Sequence, residues 1–571
     1  MGLFSFFIRR FLFRLDERLR LVLIAAVVGI CGGLASVSLN LGLQYISAAL
    51  RPMRTNWYAL IFPACGAAVA VFFLRGLIRD FGGHGVPEVI YSISMRGGLL
   101  RLRSSFSRLI SCMLTISSGG SAGPEAPVVI SGASIGSNIA GFFYLNDRQR
   151  IVIVACGAAA AIASIFNAPA TGIVFALEAI LGEWTPVNLV PIAIASVVGT
   201  EVSRLLQGNQ IPFEHRFFNV SSWDLISCLG LAVLTGLSAV LLMRMIRVTT
   251  RVSGKALKYP WLRAAAGGLL VGGLGLFLPD VLGEGYEYIR SVIEEQYPPG
   301  LALAGLSGLT KIVATSFTLG SGGSGGIFAP CLVIGSFIGL FFQRALILIF
   351  PSVAWAGEGY FGLLGMAGVI SSVLQAPLTG IFLIMEITGG YDVMVSVVLV
   401  AVMSATLSHF WEPFSIYHGE LVARGELLRP RTDARILSEL SVMELLEKDC
   451  RVIRPDMKLK DFVRVVERSH RNYFPVEDPE SGRFLGMVYM DDIRPYLFDS
   501  ALYESVVVEE IMNRDINVVS PDDELPDVLR RFDETHSWSL PVVQASRFEG
   551  LISKATLLDY YRRELMAQEE Q

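Results

Sequence analysis

Apolar residues dominate the chain in long runs from Leu21 to Trp411, and the first, Leu21–Leu50, is long enough for a membrane-spanning helix. Few of the later runs are clean spans of about 20 residues. Glycine and proline clusters cut them at 81–89 (FGGHGVPEV), 119–127 (GGSAGPEAP), 166–172 (FNAPATG), 320–330 (GSGGSGGIFAP) and 374–380 (LQAPLTG). In hydrocarbon every backbone N–H and C=O needs a partner. Unwound backbone survives there only where protein surrounds it or where it lines a watery path. The pattern therefore predicts an all-α, polytopic membrane body of broken helices. Past about residue 429 it changes to short amphipathic helices and β-rich runs, which predict a separate α/β domain.

The cuts come in pairs. GGSAGPEAPVVISGASIG (119–136) aligns with GGSGGIFAPCLVIGSFIG (322–339) at an offset of 203, with six of the first nine positions identical. FNAPATGIVFALE (166–178) aligns with LQAPLTGIFLIME (374–386) at an offset of 208, keeping Ala-Pro, Thr-Gly-Ile and the final glutamate. The body is thus two diverged copies of one unit, about 21–215 and 216–428; letters alone leave open whether they are parallel or inverted. Duplicated breaks meeting near mid-membrane mark a channel or transporter.

Composition sharpens the division. The chain has 571 residues, 53% hydrophobic and 17% charged, with a mean hydropathy of +0.54. Soluble domains average about 25% charged residues. Residues 1–429 carry 28 Lys/Arg against 22 Asp/Glu, and residues 430–571 carry 19 against 29, so a body of net +6 bears a tail of net −10. This excludes a soluble enzyme, a disordered chain and a basic nucleic-acid binder. Seven cysteines without metal spacing read as buried, reduced thiols, and no metal site is expected. The first 20 residues are not a cleavable signal peptide, because arginines interrupt the apolar run. Arg9, Arg10, Arg14, Arg18 and Arg20 just before the first span favour a cytoplasmic amino terminus, and an amphipathic surface helix is compatible with the same placement.

A helix that starts inside the membrane aims unpaired N–H groups and a partial positive charge at whatever lies ahead. Several such starts make an anion site without a cationic side chain, which would hold a halide too tightly to release it. Lys311, Arg204 and Arg344 lie outside the Gly/Pro breaks. Close packing of helices on glycine stays open as a reading of the same breaks. Glu125, inside the second break, is the sharpest residue. Its carboxylate could occupy an anion site as a tethered competitor and leave when protonated; a membrane-interface glutamate is the blander alternative. Glu178 and Glu386, at equivalent positions, read as capping or interface groups.

These motifs resemble the CLC family of chloride channels and proton/chloride antiporters over about residues 20–425. Gly83–Glu88 looks like its first anion-binding break, with His84, Gly85 and Val86 facing the ion. Gly123-Pro124-Glu125-Ala126-Pro127 looks like the second, with its gating glutamate. Gly326-Ile327-Phe328-Ala329-Pro330 looks like the third, whose amides at Ile327 and Phe328 face the anion, and Tyr417 matches the tyrosine that closes the inner side. The resemblance implies inverted repeats, voltage-gated chloride conduction and a homodimer in a plasma or inner membrane. His84 departs from the usual serine, and Pro124 and Ala126 from the usual basic residue and glycine. Ala179 stands where proton-coupled members carry a proton-relay glutamate. That loss points to passive conduction, with a proton-coupled antiporter as the alternative.

In the tail, 438–498 and 505–566 form a second duplication: Phe474-Pro475-Val476 repeats as Leu540-Pro541-Val542, and Gly486-Met487-Val488 as Gly550-Leu551-Ile552. Each copy reads as helix, short strand, helix, then two strands. This resembles a tandem CBS pair, which implies either an adenine nucleotide held at the ribose by Asp492, whose counterpart is Thr556, or a purely structural dimerisation module. No cofactor is required for conduction itself. A remote rival is an intramembrane serine protease, since Gly322-Gly323-Ser324-Gly325 fits a GxSG motif and His409 follows. Against it, the serine recurs as Ser121.

Overall fold

The computed structural model describes residues 16–50, 57–80, 85–209, 213, 217–424, 441–469, 471–497, 499–535 and 537–560. The chain divides into two compact units, Met1–Leu427 and Leu428–Gln571. Among the described residues of the first, nine helices are long and apolar enough to cross a membrane, and no membrane-length run falls in the second.

The first unit is two copies of the same helix sequence. Glu17–Leu50 corresponds to Ser222–Ala256, Phe62–Phe72 to Pro260–Phe277, Val86–Met95 to Tyr286–Ile293, and Ser104–Ser117 to Leu301–Gly320. Glu125–Phe142 then corresponds to Phe328–Ile349, Asp147–Phe166 to Glu358–Leu374, Pro169–Phe175 to Pro377–Thr388, and Pro186–Gln207 to Met394–Trp411. Local chemistry explains the breaks. Asn167 and Gln375, 208 residues apart, both take the left-handed conformation (φ 54° and 51°) and end their helices. Proline at 169 and 377 then starts the next helix at N1, where its missing N–H costs nothing. Gly119 and Gly322 turn the chain with φ of 108° and 100°, a region that favours glycine.

Two reciprocal contacts show that the repeats are inverted. Gly123 N–H donates to Gly326 O at 2.8 Å, and Gly326 N–H donates back to Gly123 O. Glu178 accepts from Thr379 N–H (2.7 Å), Thr379 Oγ1 (2.7 Å) and Leu378 N–H (3.1 Å). Glu386 accepts from Thr171 N–H (2.7 Å), Thr171 Oγ1 (2.6 Å) and Ala170 N–H (2.8 Å). Each short helix thus presents its N-terminus to the other's C-terminal glutamate, which is possible only if the two run antiparallel. Charge-assisted bonds of this kind contribute about 1.5–3 kcal/mol each when partly buried. Replacing both glutamates by alanine is expected to lower the melting temperature of the detergent-solubilised protein by more than either change alone; an unchanged melting point would contradict the clamp.

Cys112, Cys156, Cys228 and Cys331 are buried free thiols. Cys31, Cys65 and Cys450 correct the expectation of uniform burial: Cys65 is exposed and Cys31 half-buried on outer helix faces, and Cys450 is half-buried in the second unit.

The second unit repeats a smaller motif. Leu459–Glu467 leads into the antiparallel pair β1 (Tyr473–Glu477) and β2 (Phe484–Tyr489), and Leu525–Thr535 leads into β3 (Ser539–Gln544) and β4 (Arg547–Ser553). Both pairs carry an irregularity at matching places, Val476/Glu477 and Val542/Val543. The leading segments cross over: Glu447 bridges Leu551 of the second sheet, and Asn513 bridges Met487 of the first. Two structural differences from the expected order appear. Residues 442–445 form turns where a first helix was expected, and a helix, Met490–Leu497 or 554–560, follows each second strand. The latter two helices grow directly out of strands, with no glycine or proline to announce them.

Candidate functional site

The breaks converge inside the first unit. Gly85 (φ 104°) starts the Val86–Met95 helix, and a Cβ there would stand 2.9 Å from Ala126 O, so the first break packs on the second. Gly85 and Val86 are buried; His84 lies outside the described residues. The Gly123–Gly326 bonds join the second break to the third.

Glu125 is fully buried at the first turn of the Glu125–Phe142 helix. Its Oε1 accepts from Tyr286 Oη at 2.8 Å, while Oε2 has no hydrogen-bond partner. The carboxylate lies over Gly123 and Gly326, where a Cβ at Gly326 would come within 3.1 Å of Oε2, and it faces the amides of Glu125 and Ala329. A tethered anion thus occupies the converging starts of two helices. Ile327 caps the Phe328–Ile349 helix, and the buried Phe328 ring packs on Phe175 (centroids 5.4 Å apart) and Phe166 (6.2 Å).

Tyr417 approaches from the short Ile416–Ala423 helix, which begins at Ser415, whose hydroxyl accepts from His418 N–H at 3.2 Å. Its ring is buried, and its hydroxyl is also buried without a hydrogen-bond partner. Tyr417 lies within electrostatic range of Glu125 and Cys331. Tyr417 Oη is thus a buried donor without a partner among the described residues, which suits a small anion near the helix starts once the Glu125 carboxylate has withdrawn.

A cavity of about 230 Å³ opens beside Gly85 and is lined by Arg75, Arg108, Arg263 and Arg424, with Asp80 and Glu420 the acidic members. Arg108 pairs with Asp80 at 3.2 Å, supported by the Ser104 and Ser107 hydroxyls. Arg424 pairs with Glu88 at 3.0 Å and with Glu420. The surplus of arginine favours anions at this mouth.

Ala179 is buried in a π-helical turn, Ala176–Leu181. The neighbouring carboxylate, Glu178, is committed to capping the Pro377–Thr388 helix. Ser324 is buried, with its amide donating to Thr115 Oγ1 (3.3 Å), as the Ser121 amide donates to Thr318 Oγ1 (3.0 Å); His409 is exposed on a separate helix. The GxSG match is thus a duplicated turn, and the protease reading falls.

Sequence reading missed Tyr286, Glu284 and the placement of Lys311. The signal was available: Gly283-Glu284-Gly285-Tyr286 follows Gly83-His84-Gly85-Val86 by 200 residues, a fourth break hidden by a drift in offset.

In the tail, Asp492 borders a cleft of about 600 Å³ with Tyr473, Tyr489, Asp515, Glu534 and Trp538. No lysine or arginine is among its described lining residues, whereas four carboxylates are (Asp491, Asp492, Asp515 and Glu534). A purine could stack on the aromatic rings, but these residues do not fit the phosphates of a nucleotide. Thr556 is engaged elsewhere: it and Ser553 donate to Glu447, which also pairs with Arg471. Burial would raise the Glu447 carboxyl, but those hydroxyls and the Arg471 guanidinium hold it below the usual carboxylate range.

Residues 65–409 match the family described as voltage-gated chloride channel, and residues 442–499 and 508–563 match the CBS domain. The voltage-gated ClC-type chloride channel ClcB of Escherichia coli is 31% identical over 417 residues, covering 70% of this chain and 98% of the relative. The H(+)/Cl(−) exchange transporter ClcA of Klebsiella pneumoniae is 28% identical over 420 residues, covering 71% and 88%. Among solved structures, a slow cyanobacterial Cl−/H+ antiporter shares the fold with a TM-score of 0.65 at 22% identity, covering 72% of this chain and 99% of that one.

Proposed function

Because this chain belongs to the voltage-gated chloride channel family, whose members transport chloride across membranes, we propose that it is a passive, gated chloride conductor with Glu125 as the gate. In this reading the anion sits between Glu125 and Tyr417, on the amides of Ile327 and Phe328 and the helix starts at Gly85–Val86 and Gly123. Helix ends bind it, and the cationic side chains stay at the mouth. Occupancy is therefore favourable enough to enter and weak enough to leave. The Glu125 carboxylate competes for the same helix ends and withdraws when protonated.

The observation that carries passive conduction is the pairing of Ala179 with Glu178. A methyl group fills the relay position, and the adjacent carboxylate already holds three donors of the opposite repeat. A chloride gradient across liposomes holding the protein is expected to move no stoichiometric protons. Uphill proton uptake driven by chloride would convert the reading to exchange, which the naming of the Klebsiella relative and the buried carboxylate at Glu125 favour.

The same reading takes residues 21–428 as the conducting body of a homodimer in lipid and 429–571 as a cytoplasmic module. With no lysine or arginine among the described lining residues of the Asp492 cleft, the reading favours assembly over nucleotide sensing for that module.

A further inference from the structure

A second carboxylate stands beside Glu125. Glu284 lies in the turn that leads into the Tyr286–Ile293 helix, where Gly285 takes φ 85° as Gly85 takes φ 104° in the first repeat. Since the repeats are inverted and Gly85 borders the arginine-lined mouth, Glu284 belongs to the opposite face. The turn is docked on the second break, with Gly283 N–H donating to Gly119 O at 3.3 Å. Glu284 is half-buried, whereas Glu125 is wholly buried, so Glu284 is the one with access to water.

Lys311 braces this turn. Its fully buried ammonium donates to Val281 O (3.1 Å) and Gly283 O (3.0 Å). The equivalent position in the first repeat is Arg108, which pairs directly with Asp80. Lys311 instead bonds two carbonyls, which carry no net charge, and its charge is balanced by Glu284 and Asp280, both within electrostatic range. Asp280 is itself held by Tyr297 and by Ser307 (3.2 Å). Glu284 also lies within range of Glu125 and Cys112, and Tyr286, two residues on, donates to Glu125. The ionisable groups around the pair are thus Lys311, Asp280, Tyr286, Cys112 and, on the Glu125 side, Cys331 and Tyr417.

Two carboxylates near one ammonium favour a state in which only one of them is ionised beside it. Resting on the reading of Glu125 as gate, we propose that Glu284 is the proton-exchanging residue of the far mouth, with Lys311 as its counter-charge. Glu284 takes a proton from hydronium, leaving water, and passes it to the Glu125 carboxylate. Glu284 is left ionised against Lys311, and Glu125, now neutral, leaves the anion path. One proton moves, no other covalent bond is made or broken, and the hydrogen bond from Tyr286 is released.

The test is chloride efflux from liposomes as a function of pH for the full chain and for Glu125→Gln, Glu284→Gln and Glu284→Asp. Losing the charge at 284 removes a repulsion on Glu125, so more acid is needed to free the gate. Glu284→Gln is expected to shift the activation midpoint to lower pH by about one unit, with the maximal flux kept. Glu284→Asp, which keeps the charge, is expected to restore the original midpoint. A flat profile for Glu125→Gln together with an unshifted Glu284→Gln would overturn the proposal while leaving the gate intact. A Glu125→Gln profile that still follows pH would overturn the gate reading itself. If Glu284→Gln does not assemble, Glu284→Ser, which is equally uncharged, decides: a midpoint lowered by about one unit supports the role, and one matching the parent sinks it.

Discussion

Glu125→Gln is expected to conduct chloride at every pH, with the acid activation of the parent protein abolished. Glutamine keeps the shape of the side chain and its bond to Tyr286, but it carries no charge to compete at the helix starts. The carboxylate holds its place through charge-assisted bonding and the dipole ends of two helices, worth together about 1.5–3 kcal/mol relative to a neutral group. Since 1.4 kcal/mol is a factor of about ten, the open fraction at neutral pH is expected to rise by roughly ten- to a hundredfold. The check is chloride efflux from liposomes across a pH series. A variant whose efflux rises with acid as the parent's does would show that another group closes the path.

The second large effect concerns the crossing of helices rather than the ion. Gly335, in Phe328–Ile349, meets Gly365, in Glu358–Leu374, so closely that a Cβ at 335 would stand 2.5 Å from Met366 Cα and nearer still to Gly365 O. In the first repeat Gly132 and Gly157 do the same, with a Cβ at 157 reaching 2.6 Å from Gly132 C. Backbone atoms cannot step aside as side chains do, so Gly335→Val forces the two helices apart. The expected cost exceeds about 3 kcal/mol, enough to prevent a monodisperse, detergent-soluble protein. Gly141 is the control, because a Cβ there meets nothing within 4 Å. Gly141→Ala is expected to behave as the parent in yield and melting temperature. Equal behaviour of Gly335→Val and Gly141→Ala would contradict the packing account.

Much of this architecture is legible in the letters, for identifiable reasons. Repeated Gly/Pro clusters mark where helices stop, since proline at 169 and 377 can only begin one, and the Thr-Gly-Ile…Glu pattern marks both halves of the clamp. The orientation of the halves was not legible. Alignment gives correspondence, and the reciprocal contacts across the interface, at Glu178 and Glu386 and at Gly123 and Gly326, fix direction. The fourth break was missed because its offset of 200 differs from the 203 and 208 of the others, and because Tyr286 replaces an aliphatic residue. Lys311 read as an isolated charge, since its partners are backbone carbonyls that no sequence pattern displays. In the tail the strands announced themselves through Phe-Pro-Val and Leu-Pro-Val, but the four carboxylates of the cleft come together only once distant segments meet.

The reciprocal glutamate clamps constrain how transport can proceed. Rocking one repeat against the other, as in alternating-access carriers, would have to rupture six hydrogen bonds at Glu178 and Glu386 and part the paired glycines at 123 and 326. A swing of the Glu125 side chain breaks one bond to Tyr286 and leaves the scaffold at rest. On the proposed reading the cheaper motion is therefore the rotation of one side chain, with both halves of the scaffold held still.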